Sequence, residues 1–366
     1  MVLVNLIGKI ASKLDLFGRL ALLYVVLKIV KTLKAASNPK HILPRTQLAL
    51  ENNVKSHPHE HACFPQFFPS ADGNLWLFTK WWLPQAKPWK GVIFLIHGFK
   101  EHISRYDHVG YFLAQHGFAV FGMDHQGHGL SEGDPLYVEK FADYLDDYHQ
   151  YMQHVLALDS TSEFSKKTNM NIPSGTQLKN LPRFVLGHSM GSVITVLTVQ
   201  KFTDISWTGV ILSAGALKVD PEAAPWILRT LAALLSSVLP KIRFPDPGLP
   251  HLSDNTLVFQ RVLRDPTVYK EGLTPRWANE FFNATEAAMN EAPNFMHDLL
   301  MFHGDKDVIA LPSGSEEFFS TAASSNKTLK IVPGRQHELL NEEDYEDMLN
   351  TIVEWCAKQA SSKKLA

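Results

Sequence analysis

Three short runs in this chain of 366 residues carry side chains able to attack and release an acyl group. Leu186-Gly187-His188-Ser189-Met190-Gly191-Ser192 sets one serine between two glycines, where a short apolar run gives way to a longer one. His303-Gly-Asp305-Lys-Asp307-Val-Ile and Pro333-Gly-Arg-Gln-His337-Glu each follow directly on a further apolar run. A serine hydroxyl is a weak nucleophile near neutral pH. It needs a base to take its proton, and the base needs a carboxylate to fix its tautomer. The order serine, acid, histidine is the one expected when all three leave the strands of a single parallel sheet. The residues therefore read as Ser189 the nucleophile, His337 the general base and then general acid, and Asp307 the carboxylate on the imidazole. Asp305 competes with Asp307 for the acid's place. His303 is a poorer base than His337, because it ends the strand that should carry the acid.

The glycines at 187 and 191 follow from geometry. If a strand ends just before Ser189 and a helix begins just after it, the turn between them is tight and strained, and side chains at either position would collide across it. The helix N-terminus then aims backbone N–H groups at developing negative charge. A second donor is expected from His97-Gly98-Phe99, which follows the apolar residues 92–96. The N–H groups of Phe99 and Met190 are the expected oxyanion hole. Gly98 lets the backbone swing toward the serine, and His97 reads as structural, bonding backbone to hold the loop.

These residues need a scaffold that brings them to one rim. Short apolar runs at 92–96, 119–123, 184–186, 210–212, 299–302 and 329–332 suit strands buried on both faces. Helix-length segments at 109–116, 137–158 and 192–202 separate several of them, so the sheet should be largely parallel and covered on both sides. Ala71-Asp-Gly-Asn between two aromatic runs is hairpin chemistry. Residues 160–180, rich in Ser, Thr, Asn and Lys, read as an exposed loop. Nearly ninety residues without a clear strand separate 212 from 299 and read as an inserted helical cap. In it Trp226, Ile227, Leu231, Leu234, Leu235 and Val238 recur at helical spacing and are expected to bury the cap on the sheet, with lining of an apolar entrance as the alternative. The expected organisation is a segment 1–34, a linker 35–64, a core from 65–215 and 276–360, a cap at 216–275 and a tail at 361–366.

Composition narrows the partners. With 35 basic and 37 acidic residues the net charge is −2, so nothing drives the whole chain toward nucleic acid. Cys63 and Cys356 are too few for a disulfide framework. Residues 1–34 differ: Lys9, Lys13, Arg19, Lys28, Lys31 and Lys34 stand against Asp15 alone, among Leu, Ile, Val and Phe. The uncharged run 20–27 has eight residues, too short to cross roughly 30 Å of hydrocarbon, so the segment reads as a helix lying on a membrane surface. A helix packed on the protein itself and a cleaved signal are the alternatives. His57-Pro-His-Glu-His-Ala-Cys63 offers zinc-type donors but reads as a His-rich linker, and the glycines of 122–133 read as a tight loop after a strand. No metal or cofactor is expected, and the oligomeric state is left open.

With those residues in view, His97-Gly-Phe-Lys-Glu-His-Ile-Ser-Arg-Tyr106, Gly122-Met-Asp-His-Gln-Gly-His-Gly-Leu-Ser-Glu-Gly133, Gly187-His-Ser-Met-Gly191, His303-Gly-Asp-Lys-Asp307 and Pro333-Gly-Arg-Gln-His337-Glu resemble the monoacylglycerol lipases of the α/β-hydrolase superfamily. Asp265-Pro266 in the cap resembles theirs as well. The similarity covers about residues 64–357. It implies the α/β-hydrolase fold and hydrolysis of monoacylglycerol to fatty acid and glycerol, with Glu101, His102 and Arg105 shaping the glycerol end. Residues 1–60, the loop 160–180 and Ile309, where relatives can carry cysteine, depart from the pattern. A lysophospholipase, a broad esterase or an acyltransferase would use the same acyl-enzyme, and a silent ligand receptor would need a damaged triad. The expected location is a membrane surface on its cytoplasmic side. The endoplasmic reticulum enters through Lys363-Lys-Leu-Ala, which resembles a dilysine retrieval signal.

Overall fold

The computed structural model describes residues 66–362, apart from 223, 245–251, 254 and 271. The basic apolar segment 1–34, the linker with its His57–Cys63 run, and the final four residues lie outside the described residues.

The chain opens with strands β1 (Phe67–Pro69) and β2 (Trp76–Trp82), antiparallel and joined by the turn over 70–75. Gly73 takes φ 75° there, and the Asp72 carboxylate accepts from the Ser70 hydroxyl at 2.6 Å and the Asn74 N–H at 3.0 Å. Then come β3 (Gly91–Ile96), α1 (Asp107–Gln115), β4 (Phe118–Met123), α2 (Phe141–Leu156), α3 (Glu163–Lys167), β5 (Arg183–His188) and α4 (Met190–Lys201). After β6 (Gly209–Ser213) the cap helices α5 (Trp226–Val238) and α6 (Thr256–Arg264) precede α7 (Pro275–Asn290). β7 (Leu299–Gly304), α8 (Pro312–Thr321), β8 (Lys327–Val332) and α9 (Tyr345–Ser362) complete the chain.

Eight strands form one sheet in the order β1-β2-β4-β3-β5-β6-β7-β8, parallel from β4 to β8. Within the central strands successive side chains enter different cores. Val92, Phe94 and Ile96 join the layer with α2 and α4, while Ile93 and Leu95 join the layer with α1 and α9. This two-sided burial is why the strands read as unbroken apolar runs rather than alternating ones. Parallel pairing also brings the C-terminal ends of β3, β5, β7 and β8 to one rim, so the loops at 97, 189, 303–307 and 333–337 open on the same side.

Three expectations are corrected. β8 lies at the sheet edge, and its Lys327-Thr-Leu-Lys-Ile-Val is exposed at every second residue from Thr328, with Ile331 also open, so it is not buried on both faces. Residues 160–180 are not simply an exposed loop: α3 lies there, and Met170, Ile172 and Leu178 enter the core. In α5 only Ala232, Leu235 and Ser236 are buried, while Trp226 is 74% and Val238 60% exposed, with Ile227, Leu228 and Leu234 open as well. The apolar residues of α5 wrap around more of the helix than its seat on α7 can cover.

Candidate active site

Ser189 alone separates β5 from α4, with φ 54° and ψ −119°, outside the regions an L-residue favours. Such a state costs about 1–3 kcal/mol and persists only where the surroundings over-determine it. Here the Ser189 N–H donates to Ser213 O at 2.9 Å, and the Ser192 hydroxyl donates to Gly187 O at 2.9 Å. The two glycines are required sterically. A Cβ at 191 would sit 2.2 Å from Ile96 O, and one at 187 would sit 2.4 Å from Gly191 O. The serine thus stands at the mouth of α4, whose first N–H groups have no partner within the helix.

The loops after β7 and β8 meet beside it. His337 Nδ1 lies 2.7 Å from Asp307 Oδ2, both side chains buried. The His337 ring is 5.0 Å from that of His188, the residue before Ser189. Asp307 Oδ1 accepts from the N–H groups of Ile309 at 2.9 Å and Ala310 at 3.0 Å, so Oδ2 is left to His337 and His303. Burial alone would raise the Asp307 pKa. It is outweighed by the His337 charge, the hydrogen bonds from His303 and His337 and the Ala310 amide, so the carboxyl is held below its ordinary range. Burial likewise pulls His337 down, but the Asp307 charge and hydrogen bond win and its pKa rises. Asp305 is exposed and accepts from the Gly334 N–H at 2.7 Å, so it braces the loop and does not touch the imidazole. His303 is buried against Asp307 Oδ2 at 3.1 Å and Ser315 Oγ at 2.7 Å, behind the carboxylate.

A third loop closes the site. In the turn 97–101 a Cβ on Gly98 would lie 3.0 Å from the Ser189 Cβ and 2.7 Å from the Glu101 carboxylate. Lys100 takes φ 64°, and the Gly98 N–H donates to Glu101 Oε1, which closes the turn. The Phe99 ring stacks on Trp277 of α7, centroids 3.7 Å apart. His97 bonds its neighbours as expected: Nδ1 donates to Gly98 O at 2.8 Å, and Nε2 accepts the His125 N–H at 3.1 Å. His125 Nε2 donates back to His97 O at 2.8 Å. Burial pulls His97 well below the usual imidazole range and takes His125 and His188 down to about 3.

Glu101, His102 and Arg105 are brought to this rim but bond protein groups. Arg105 Nη1 donates to Glu101 Oε2 at 2.9 Å and Nη2 to Glu338 Oε2 at 3.0 Å. His102 Nε2 pairs with Asp265 Oδ2 of the cap at 2.8 Å. The sequence reading missed Glu338, His303 and Trp277 as supports. Glu338 had a signal in its position next to His337; Trp277 had none.

The fold and the strand–serine–helix turn define a protein of the α/β-hydrolase class. Residues 87–344 match the family model described as serine aminopeptidase, S33, and the chain belongs to that family. It is 27% identical to the monoacylglycerol lipase of Mycolicibacterium smegmatis over 274 residues, 75% of this chain and 90% of that one. It is 29% identical to the monoglyceride lipase of Homo sapiens over 296 residues, 80% of this chain and 90% of the other. Among solved structures it is similar to a soluble variant of monoglyceride lipase from Saccharomyces cerevisiae, in complex with a substrate analog. That match has TM-score 0.68 at 20% identity, covering 80% of this chain and 94% of the other, and at that identity it speaks to fold alone.

Among the described residues no helix is long and apolar enough to cross a membrane.

Proposed function

We propose that the chain is a serine hydrolase that cleaves monoacylglycerols to fatty acid and glycerol. The observation that carries this is the buried contact of 2.7 Å between His337 Nδ1 and Asp307 Oδ2, on the rim where Ser189 turns. With Nδ1–H donated to the carboxylate, Nε2 is left as the base. Ser189 Oγ attacks the ester carbonyl as its proton passes to His337 Nε2, and the tetrahedral oxyanion meets the N–H groups of Phe99 and Met190. Collapse breaks the acyl C–O bond, and the imidazolium returns its proton to the departing glycerol oxygen. Water then repeats the sequence on the acyl-enzyme, freeing the fatty acid and Ser189. Glu101, His102 and Arg105 shape the glycerol end by fixing its walls, since their polar atoms are bound to one another and to Asp265 and Glu338. The relatives named monoacylglycerol and monoglyceride lipase support this substrate class.

A panel of monoacylglycerols, diacylglycerols and lysophospholipids, with and without added glycerol, tests it. Monoacylglycerol should turn over fastest, with release of free fatty acid. Faster cleavage of lysophospholipid, or transfer of the acyl group to glycerol as the main outcome, replaces the proposal.

The enzyme is further proposed to work at a membrane surface, on its cytoplasmic side. The exposed Trp226, Ile227 and Val238 of α5 and Leu257 and Leu263 of α6, beside the exposed Arg261 and Arg264, suit an anionic lipid surface. Residues 1–34 are proposed to add a second attachment, outside a core at 65–215 and 276–360 and a cap at 216–275. The full chain should float with anionic vesicles, and removal of residues 1–34 should release most of it while sparing cleavage of a soluble short-chain ester. Unchanged flotation rejects that role for the segment.

A further inference from the structure

The loop that carries the base and the turn that carries an oxyanion donor are joined by one buried chain of ions. Glu338 follows His337 directly. Its carboxylate takes Arg105 in a fork, Nη2 to Oε2 at 3.0 Å and Nη1 to Oε1 at 3.3 Å, and Oε2 also accepts from Asn341 Nδ2 at 2.6 Å. Arg105 reaches Glu101 Oε2 with the same Nη1, and Glu101 Oε1 accepts from Tyr106 Oη at 2.7 Å and from the Gly98 N–H. Glu338 and Glu101 are both buried. Around Glu338 stand Glu101 from the turn after β3, Arg105 and Tyr106 from the short helical turn before α1, His188 from β5, and His337, Asn341 and Glu342 from its own loop. Two carboxylates thus share one guanidinium, a geometry costly to bury unless each oxygen has a use. Both have one: Glu101 closes the strained turn at Lys100, and Glu338 anchors the histidine loop.

We propose that Glu338 is a positioning residue for the ester cleavage. It acts through Arg105 and Glu101 to hold the Phe99 N–H at the oxyanion and, through its own backbone, to hold His337 at Ser189. The inference rests on the roles proposed above for Ser189, His337 and Phe99. It differs from a stabilising ion pair in what it moves. A bridge that only held the fold would alter unfolding and leave the chemical step alone, whereas a strut between base and oxyanion donor alters kcat more than KM, because the placement of those two groups matters most in the transition state.

The experiment uses the full chain with Glu338→Gln, Glu101→Gln and the double variant, assayed on a monoacylglycerol across pH and by the rate of phosphonate labelling at Ser189. Glu338→Gln keeps the shape and removes the charge. We expect kcat to fall at least about tenfold, KM to stay within about twofold, and labelling to slow in parallel, since small misplacements of catalytic groups cost on this order or more. The charges facing His337 come from Asp307, Glu338 and Glu101, and all three favour its protonated form. Loss of the Glu338 charge should therefore move the acid limb of kcat/KM to lower pH. Because the two glutamates act through one guanidinium, the double variant should lose no more than the worse single one. Wild-type kcat in Glu338→Gln, or losses that multiply in the double variant, overturns the strut. Should Glu338→Gln fail to fold, Glu101→Gln carries the kcat and labelling test, with KM read separately because Glu101 also walls the glycerol end. Wild-type protein that neither labels at Ser189 nor cleaves ester defeats the functional reading instead, a result distinct from failure of the strut.

Discussion

Alanine at position 189 should lower turnover by about 10⁴-fold or more, with substrate affinity nearly unchanged. That factor corresponds to about 5.5 kcal/mol of transition-state stabilisation. The variant is a clean one, because every hydrogen bond that shapes the turn through residue 189 runs through its backbone. The N–H donates to Ser213 O at 2.9 Å, and the carbonyl accepts from Ser192 at 3.0 Å and Ala216 at 3.2 Å. Alanine keeps all of these and meets the same strained φ, so the fold and the oxyanion donors remain. What disappears is the acyl-enzyme, which mass measurement after a substrate pulse would detect in the wild type alone. Turnover like that of the wild type in Ser189→Ala rejects the mechanism.

Asp307→Asn should cost nearly as much, about 10⁴-fold in kcat, for a reason visible in its partners. Oδ1 is committed to the N–H groups of Ile309 and Ala310. Asparagine would keep its oxygen there and turn its NH₂ toward His337, and a donor facing Nδ1 forces the proton onto Nε2. That tautomer cannot accept the serine proton. The pH profile supplies a second sign. In the wild type the base must be neutral, so activity rises through the raised His337 pKa, and removing the carboxylate charge should shift that acid limb downward. A variant that retains more than a tenth of wild-type kcat at its optimum removes Asp307 from the reaction.

Much of this architecture was legible in the residues. The central strands announced themselves because both sheet faces are covered, and the turn at Ser189 because no side chain fits at 187 or 191. The orders of acid and base followed from which runs precede them. Other features depended on neighbours that the chain order does not reveal. The run 329–332 holds Lys330 among three apolar residues, and β8 pairs on one side only with half of it facing outward. Residues 160–180 are polar overall, but three apolar side chains within them reach the core. The helical spacing in 226–238 gave a helix without saying which stripe would find a partner. Glu338 could be seen beside His337, but its link to Arg105 spans 233 positions and exists only once the sheet is closed.

The buried imidazoles beside the site carry a consequence for its behaviour in acid. His97, His125 and His188 stay uncharged down to strongly acidic solution, because burial denies them a proton. From a neutral cytosol to an acidified vesicle lumen, then, the wiring of the first loop keeps one protonation state, and among these rings His337 alone changes its own. Below the ordinary imidazole range the unfolded chain binds protons at these three positions that the folded chain does not, so acid weakens the fold at the same time as it protonates His337.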